Sequence, residues 1–139
     1  MGRAMAEVLA ASGHRVVGLD RMEQKRGPLE RVIAADLLDP AVPAQVVAEI
    51  LVTEGRLDVL VHNAAILIHE HPIAEVTLDD YERTTAINLR AVFFLSQAAA
   101  EAMRPNGWGR IIAISSVCAR TGACPTRPST RRPKPASSA

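Results

Sequence analysis

No apolar run in this chain approaches the roughly 20 residues needed to span a bilayer, because Arg90 and Glu101 interrupt the most hydrophobic stretch. An integral membrane protein is thereby excluded, and no membrane partner is expected. The N-terminus, Met1-Gly2-Arg3-Ala4-Met5-Ala6-Glu7, has no continuous apolar segment of the signal-peptide kind, and Ala6 stands where a myristoylation signal needs Ser or Thr. A cytoplasmic location is expected. Cysteine is also sparse: Cys118 and Cys124 are the only two and lie close together, which gives neither a disulfide framework nor a four-ligand zinc site. Acidic residues stop at Glu101, with nine basic against fifteen acidic residues up to that point and seven against none beyond it.

What remains is an ordinary globular composition over 139 residues, 48% hydrophobic and 22% charged, which excludes fibrous and wholly disordered chains. The exception is the end. Residues 123–139 contain no Leu, Ile, Val or aromatic residue and are rich in Pro, Arg and Ser. This basic tail is expected to be disordered, leaving residues 1–122 as the folding unit.

Within that unit, hydrophobic spacing predicts alternating helices and strands. Met5, Val8 and Leu9 share one helical face, and Gly13 sits where a left-handed C-cap belongs. The stretches 15–20 and 31–36 are short apolar runs ending on Asp20 and Asp36, as buried strands do. Val42, Val46, Val47, Ile50 and Leu51 recur at helical spacing until Gly55, and a third strand follows over 57–61. Thr77-Leu78-Asp79-Asp80 reads as a hydroxyl-capped helix start with first-turn acids, opening a long helix to about Met103 with a break near Ile87. Pro105-Asn106-Gly107 turns the chain into a last strand over 110–114. The pattern predicts an α/β doubly wound fold, with a parallel sheet covered by helices on both sides.

In such sheets ligands bind beyond the carboxyl ends of the strands, where Asp20, Asp36, Asn63 and Ser115-Ser116 fall. Asp20 follows Gly2 by eighteen residues, close to the separation of roughly 20 at which an acid meets the adenosine ribose of a dinucleotide. A carboxylate there favours NAD over NADP, while Arg21 leaves room for a 2′-phosphate. His69-Glu70-His71 offers too few ligands for a metal site and reads as a solvated loop, so no metal is expected.

Taken in order, these segments resemble the short-chain dehydrogenase/reductase family across residues 2–122. The matching pieces are Gly2-Arg3-Ala4 as the end of the glycine-rich turn, Asp20, Asp36-Leu37, and His62-Asn63-Ala64-Ala65 in place of Asn-Asn-Ala-Gly. Asn88 in the long helix and Ile114-Ser115-Ser116 complete them. The resemblance implies an incomplete Rossmann-like sheet and hydride transfer between NAD, or NADP, and a small-molecule carbonyl or alcohol. It assigns Ser116 to hold the substrate oxygen, and Asn88 to fix a helix kink and a water of the proton relay. Asp36 would take the adenine amino group with Leu37 beside it, and Gly2 and the Asn63, Ala64, Ala65 backbone would line the cofactor.

Two family parts are absent: the first strand with the opening glycines of the phosphate turn, and the Tyr-x-x-x-Lys pair that supplies the proton donor. The sole tyrosine, Tyr81, lies upstream on another helix. Read one base out of register, the codons of Ser129 and Thr130 permit tyrosine, and those of Pro133 and Lys134 permit lysine four positions on. A frameshift near Gly122 is therefore expected, with the intact parent a homo-oligomeric oxidoreductase. The chain as written is expected to be inactive and poorly folded, since the family places its first strand at the centre of the sheet. The rival readings are a catalytically dead dinucleotide-binding or dimerising fragment and, last, a nucleic-acid binder using the basic tail around Arg131-Arg132-Pro133-Lys134. Pro125 to Pro128 could also serve as a PxxP ligand. No nucleic acid is expected as partner if the tail is misread.

Overall fold

The computed structural model describes residues 1–22, 27, 29–67 and 73–116. The tail, both cysteines, the frameshift region and His69-Glu70-His71 lie outside the described residues.

Helix α1 (Gly2–Ala11) comes first, then β1 (Val17–Asp20), β2 (Arg31–Ala34), α2 (Val42–Glu54) and β3 (Val59–His62). A short 3₁₀ turn (Ile73–Glu75) leads to α3 (Leu78–Thr85), which runs through a π-helical stretch (Ala86–Ala91) into α4 (Val92–Met103). A further 3₁₀ turn (Arg104–Asn106) precedes β4 (Arg110–Ala113).

The terminators act as their chemistry requires. Gly13, Gly55 and Gly107 have φ of 85°, 78° and 62°, the left-handed region that ends a helix without a Cβ penalty. At the start of α3, the Thr77 hydroxyl accepts from the Asp80 N–H at 3.1 Å, and the Asp80 carboxylate accepts from the Thr77 N–H at 3.0 Å. This reciprocal box satisfies two donors that a helix start leaves open. The expected break near Ile87 is the π-helical stretch itself.

The strands form two separate parallel pairs, β1 with β2 and β3 with β4. Val17 to Asp20 lie opposite Arg31 to Ala34, and Val59 to His62 opposite Arg110 to Ala113. Both pairings are parallel, as expected, and the sheet is incomplete. The pairs are not hydrogen-bonded to each other, and β4 is exposed along its whole length, with Ile111 at 41% and Ile112 at 45%. Helix α4 lies against β4, and one helix covers one face of a strand.

What joins the halves is the helix layer. Helix α2 packs along α4, and α4 lies against β3 and β4. Ile33, Val42 and Val46 form one core cluster, with Val17, Leu19, Leu37 and Ile50 packed on it, and Leu95, Ala99 and Met103 of α4 are buried as well. The Arg90 guanidinium donates to the Leu38 carbonyl at 2.6 Å, pinning the loop after β2 to the π-helical stretch. At the other end of β2, Arg31 reaches Glu49 at 2.5 Å, the Thr53 hydroxyl at 2.7 Å and Glu54 at 3.3 Å. In helix α1 only Ala6 is buried, and Val8 is exposed. No helix among the described residues is long and apolar enough to cross a membrane.

Candidate functional site

Short strands that run apolar and stop on a polar residue deliver that residue to the sheet end, and three of them converge here. Asp20 at the end of β1 with Arg21 after it, Asp36 and Leu37 after β2, and Ala64 and Ala65 after β3 line one cavity of about 300 Å³, together with Arg83 and Ile87. Each carboxylate is oriented by its own loop. Asp20 accepts from the Met22 N–H at 3.0 Å and Asp36 from the Leu38 N–H at 2.9 Å, both turns in which a side chain replaces a backbone acceptor. Arg21 and Arg83 line the same cavity, and the Arg83 guanidinium lies 4.0 Å from the Asp79 carboxylate. Arg83 carried no sequence signal, because only the tertiary fold turns α3 toward the β1 and β2 ends.

Gly2 and Asn63 lie together, away from that cavity. A Cβ built on Gly2 would stand 2.7 Å from Asn63 Nδ2, so a larger residue there would require the Asn63 side chain to move. The α1 N-terminus has no side-chain cap. Its first N–H groups and the helix dipole therefore suit an anion such as a pyrophosphate. Ala64 lines both this larger space and the Asp20 cavity. The donor set thus fits the adenosine and pyrophosphate portions of a dinucleotide.

The reacting end is less assembled. Asn88 lies in the π-helical stretch, where its Oδ1 accepts from the Ile66 N–H at 3.0 Å and its Nδ2 donates to the Ile66 carbonyl at 2.7 Å. Both ends of the amide are thus used to fasten the segment after β3 to the bent helix. Ser116 follows β4 on an exposed stretch and lines neither cavity.

One residue without a sequence signal of its own is His62, the last of β3. Its Nε2 lies 2.9 Å from the Ser96 hydroxyl on α4, and the side chain is buried. Burial lowers its pKa from the ordinary 6.5, since the imidazolium would lose its water. Only the packing of α4 on β3 reveals this pair, because 34 positions separate the partners. Among the described residues no group of three or more His, Cys, Asp or Glu side chains is placed to hold a metal ion.

Comparison with known proteins identifies the family. The family model for short chain dehydrogenase matches residues 1–126. A sorbitol dehydrogenase of Cereibacter sphaeroides is 40% identical over 130 residues, 88% of this chain and 50% of that protein. The 3-oxoacyl-acyl-carrier-protein reductase FabG of Escherichia coli K12 is 33% identical over 129 residues, 88% of this chain and 52% of its own. Among solved structures, a short-chain dehydrogenase of Burkholderia cenocepacia in complex with NADP superposes with a TM-score of 0.74 at 30% identity, covering 88% of this chain and 54% of that one. A Serratia marcescens short-chain dehydrogenase/reductase double mutant gives 0.74 at 33% identity, covering 89% and 53%. The chain spans about half the length of the relatives it matches, and its two strand pairs are part of their Rossmann fold. It belongs to the short-chain dehydrogenase family.

Proposed function

We propose that this chain is the nucleotide-binding half of an NAD(P)-dependent oxidoreductase that moves hydride between nicotinamide and a small carbonyl or alcohol, and that alone it binds without turnover. The observation that carries this reading is the convergence of Asp20, Asp36 and Ala65, from three different strand ends, on one 300 Å³ cavity. The bound dinucleotide would supply the hydride. Asp20 would accept from the ribose hydroxyls, Asp36 from the adenine amino group, and the Gly2 end of α1 would face the pyrophosphate. Ser116 would hold the substrate oxygen once an occupant orders the exposed end of β4. Asn88 would keep the helix bent beside it.

Asp20 repels a 2′-phosphate, whereas Arg21 and Arg83 attract one. The carboxylate sits at the strand end where the ribose falls, so NADH is expected to bind more tightly than NADPH. Titration of the 139-residue chain with each dinucleotide, followed by calorimetry, tests this. The expected result is saturable NADH binding without oxidation, weakened at least tenfold by Asp20→Ala, with NADPH gaining relative to NADH. Binding of neither dinucleotide, or an Asp20→Ala chain that binds as before, would refute the reading.

The exposed Tyr81, Leu89 and Phe93 favour one further possibility, a dimerising fragment that joins an intact relative through α3 and α4. Co-purification of the two chains, lost in Phe93→Glu, is the expected outcome for that role.

A further inference from the structure

The π-helical stretch between α3 and α4 grips two loops at once. Asn88 holds the N–H and the carbonyl of Ile66. Two residues further on, the half-buried Arg90 donates to the Leu38 carbonyl at 2.6 Å, across 52 positions of chain. Residues two apart on a helix do not face each other, so the two side chains leave one segment in different directions. Leu38 follows β2 and Ile66 follows β3, and both line the Asp20 cavity, as does Ile87 of the π-helical stretch itself.

Leu38 is held from both ends of its backbone. Its N–H donates to Asp36 Oδ1 at 2.9 Å, and its carbonyl accepts from Arg90. One bond uses a carboxylate and the other a guanidinium, and charge-assisted bonds are about twice as strong as neutral ones. Asp36 Oδ1 is thereby committed to the loop, which leaves Oδ2 as the acceptor for a ligand N–H. Residues 36–38 form one wall of the cavity and residues 64–66 another, and a single helical segment fixes the position of both. Spacing between walls matters for a flat ligand. Contact with a ring face is best at about 3.5–4.0 Å, and a gap of about 0.5–1 Å forfeits a quarter to a half of it.

We propose that Arg90 is a positioning residue for nucleotide recognition, holding the Asp36 loop at the distance from Ile66 at which the cavity admits adenine in preference to a smaller base. This rests on the reading of the cavity as a nucleotide site. Arg90 does not itself line the cavity and acts through the Leu38 carbonyl. Without that bond the loop is free to retreat, which thins the contact on the base and turns the Asp36 carboxylate away from the amino group. A pyrimidine fills less of the space and loses less, so the preference falls along with the affinity.

The test uses the full 139-residue chain with its Arg90→Met and Arg90→Lys variants, each titrated calorimetrically with 5′-AMP and 5′-UMP and followed by amide exchange. The unsubstituted chain is expected to prefer AMP at least tenfold. In Arg90→Met the preference should fall to threefold or less and the Leu38 amide exchange at least tenfold faster, while the Val46 and Val47 amides of α2 keep their protection. Arg90→Lys retains a charged donor and should recover at least a fivefold preference. An AMP preference that persists in Arg90→Met would overturn the proposal, as would an Arg90→Lys chain that behaves like Arg90→Met. Loss of α2 protection in both variants would also overturn it, because Arg90 would then support the fold and not the spacing. Binding of neither nucleotide by the unsubstituted chain would instead refute the nucleotide reading on which the proposal rests.

Discussion

At the residue scale, two side chains decide how the segment after β3 is held, and each makes a measurable prediction. Asn88 satisfies both backbone groups of Ile66. Asn88→Ala leaves that exposed N–H and C=O to water, a loss of about 0.5–1.5 kcal/mol for each hydrogen bond. The Ile66 amide is expected to exchange roughly tenfold to a hundredfold faster in the variant, as read by amide exchange; unchanged exchange would show that the bridge carries no weight. His62 gives a pH effect whose sign follows from burial. Its folded-state pKa lies below 6.5, so the neutral ring stabilises the β3 and α4 contact above that pH. As pH falls below 6.5 the unfolded chain takes up the proton first, and protection of the ladder-bonded Leu60 amide is expected to decline toward pH 5. His62→Gln should remove this dependence, and a titration placing the imidazole pKa above 6.5 would contradict it. The sequence displayed Asp20, Asp36 and Asn88 by their positions in an ordered pattern. It did not display His62 with Ser96 or Arg83 beside Asp20, because neither relation has a period along the chain.

At the element scale, local chemistry was enough to find the helices and their ends. Thr77, Gly13, Gly55 and Gly107 act within a few residues of themselves, and their caps are the ones the spacing predicts. Thr77→Ala removes the hydroxyl that accepts from Asp80, at a cost of about 1 kcal/mol. The Asp80 and Tyr81 amides should lose protection by about fivefold while those of α2 stay unchanged. Equal losses in α2 would mean that the cap acts globally. Gly109 makes a second case. A Cβ there would collide with the Met103 side chain, so Gly109→Ala is expected to loosen the junction of α4 and β4 and raise exchange at Ile111. The strands were legible as elements, yet their burial was not. Apolar residues on both faces signal a strand meant to be covered twice, but the pattern of β4 says nothing about which covering elements stand beside it.

At the scale of the whole molecule, the division of the sheet governs behaviour. Among the described residues the two strand pairs are not hydrogen-bonded to each other and are tied through α2, α4 and the Arg90 bond to Leu38. No large side chain among the described residues is fully buried. Stability is ordinarily a difference of only 5 to 15 kcal/mol between large opposing terms, and losses of this kind consume it. The isolated chain is therefore expected to melt over a broad range, with a van't Hoff enthalpy well below the ~0.7 kcal/mol per residue of compact domains. A single sharp calorimetric transition would refute this.

The sequence by itself determined the order and type of elements, the glycine and hydroxyl punctuation, and the placing of acids at strand ends, because each follows from interactions within a few residues. Tertiary structure alone decided that Arg83 joins Asp20 and Asp36 at one cavity, that α4 is the helix lying against β4, and that Asn88 is spent on Ile66. Those outcomes depend on which distant surfaces meet, and backbone hydrogen bonds between strands carry no side-chain record of their partner.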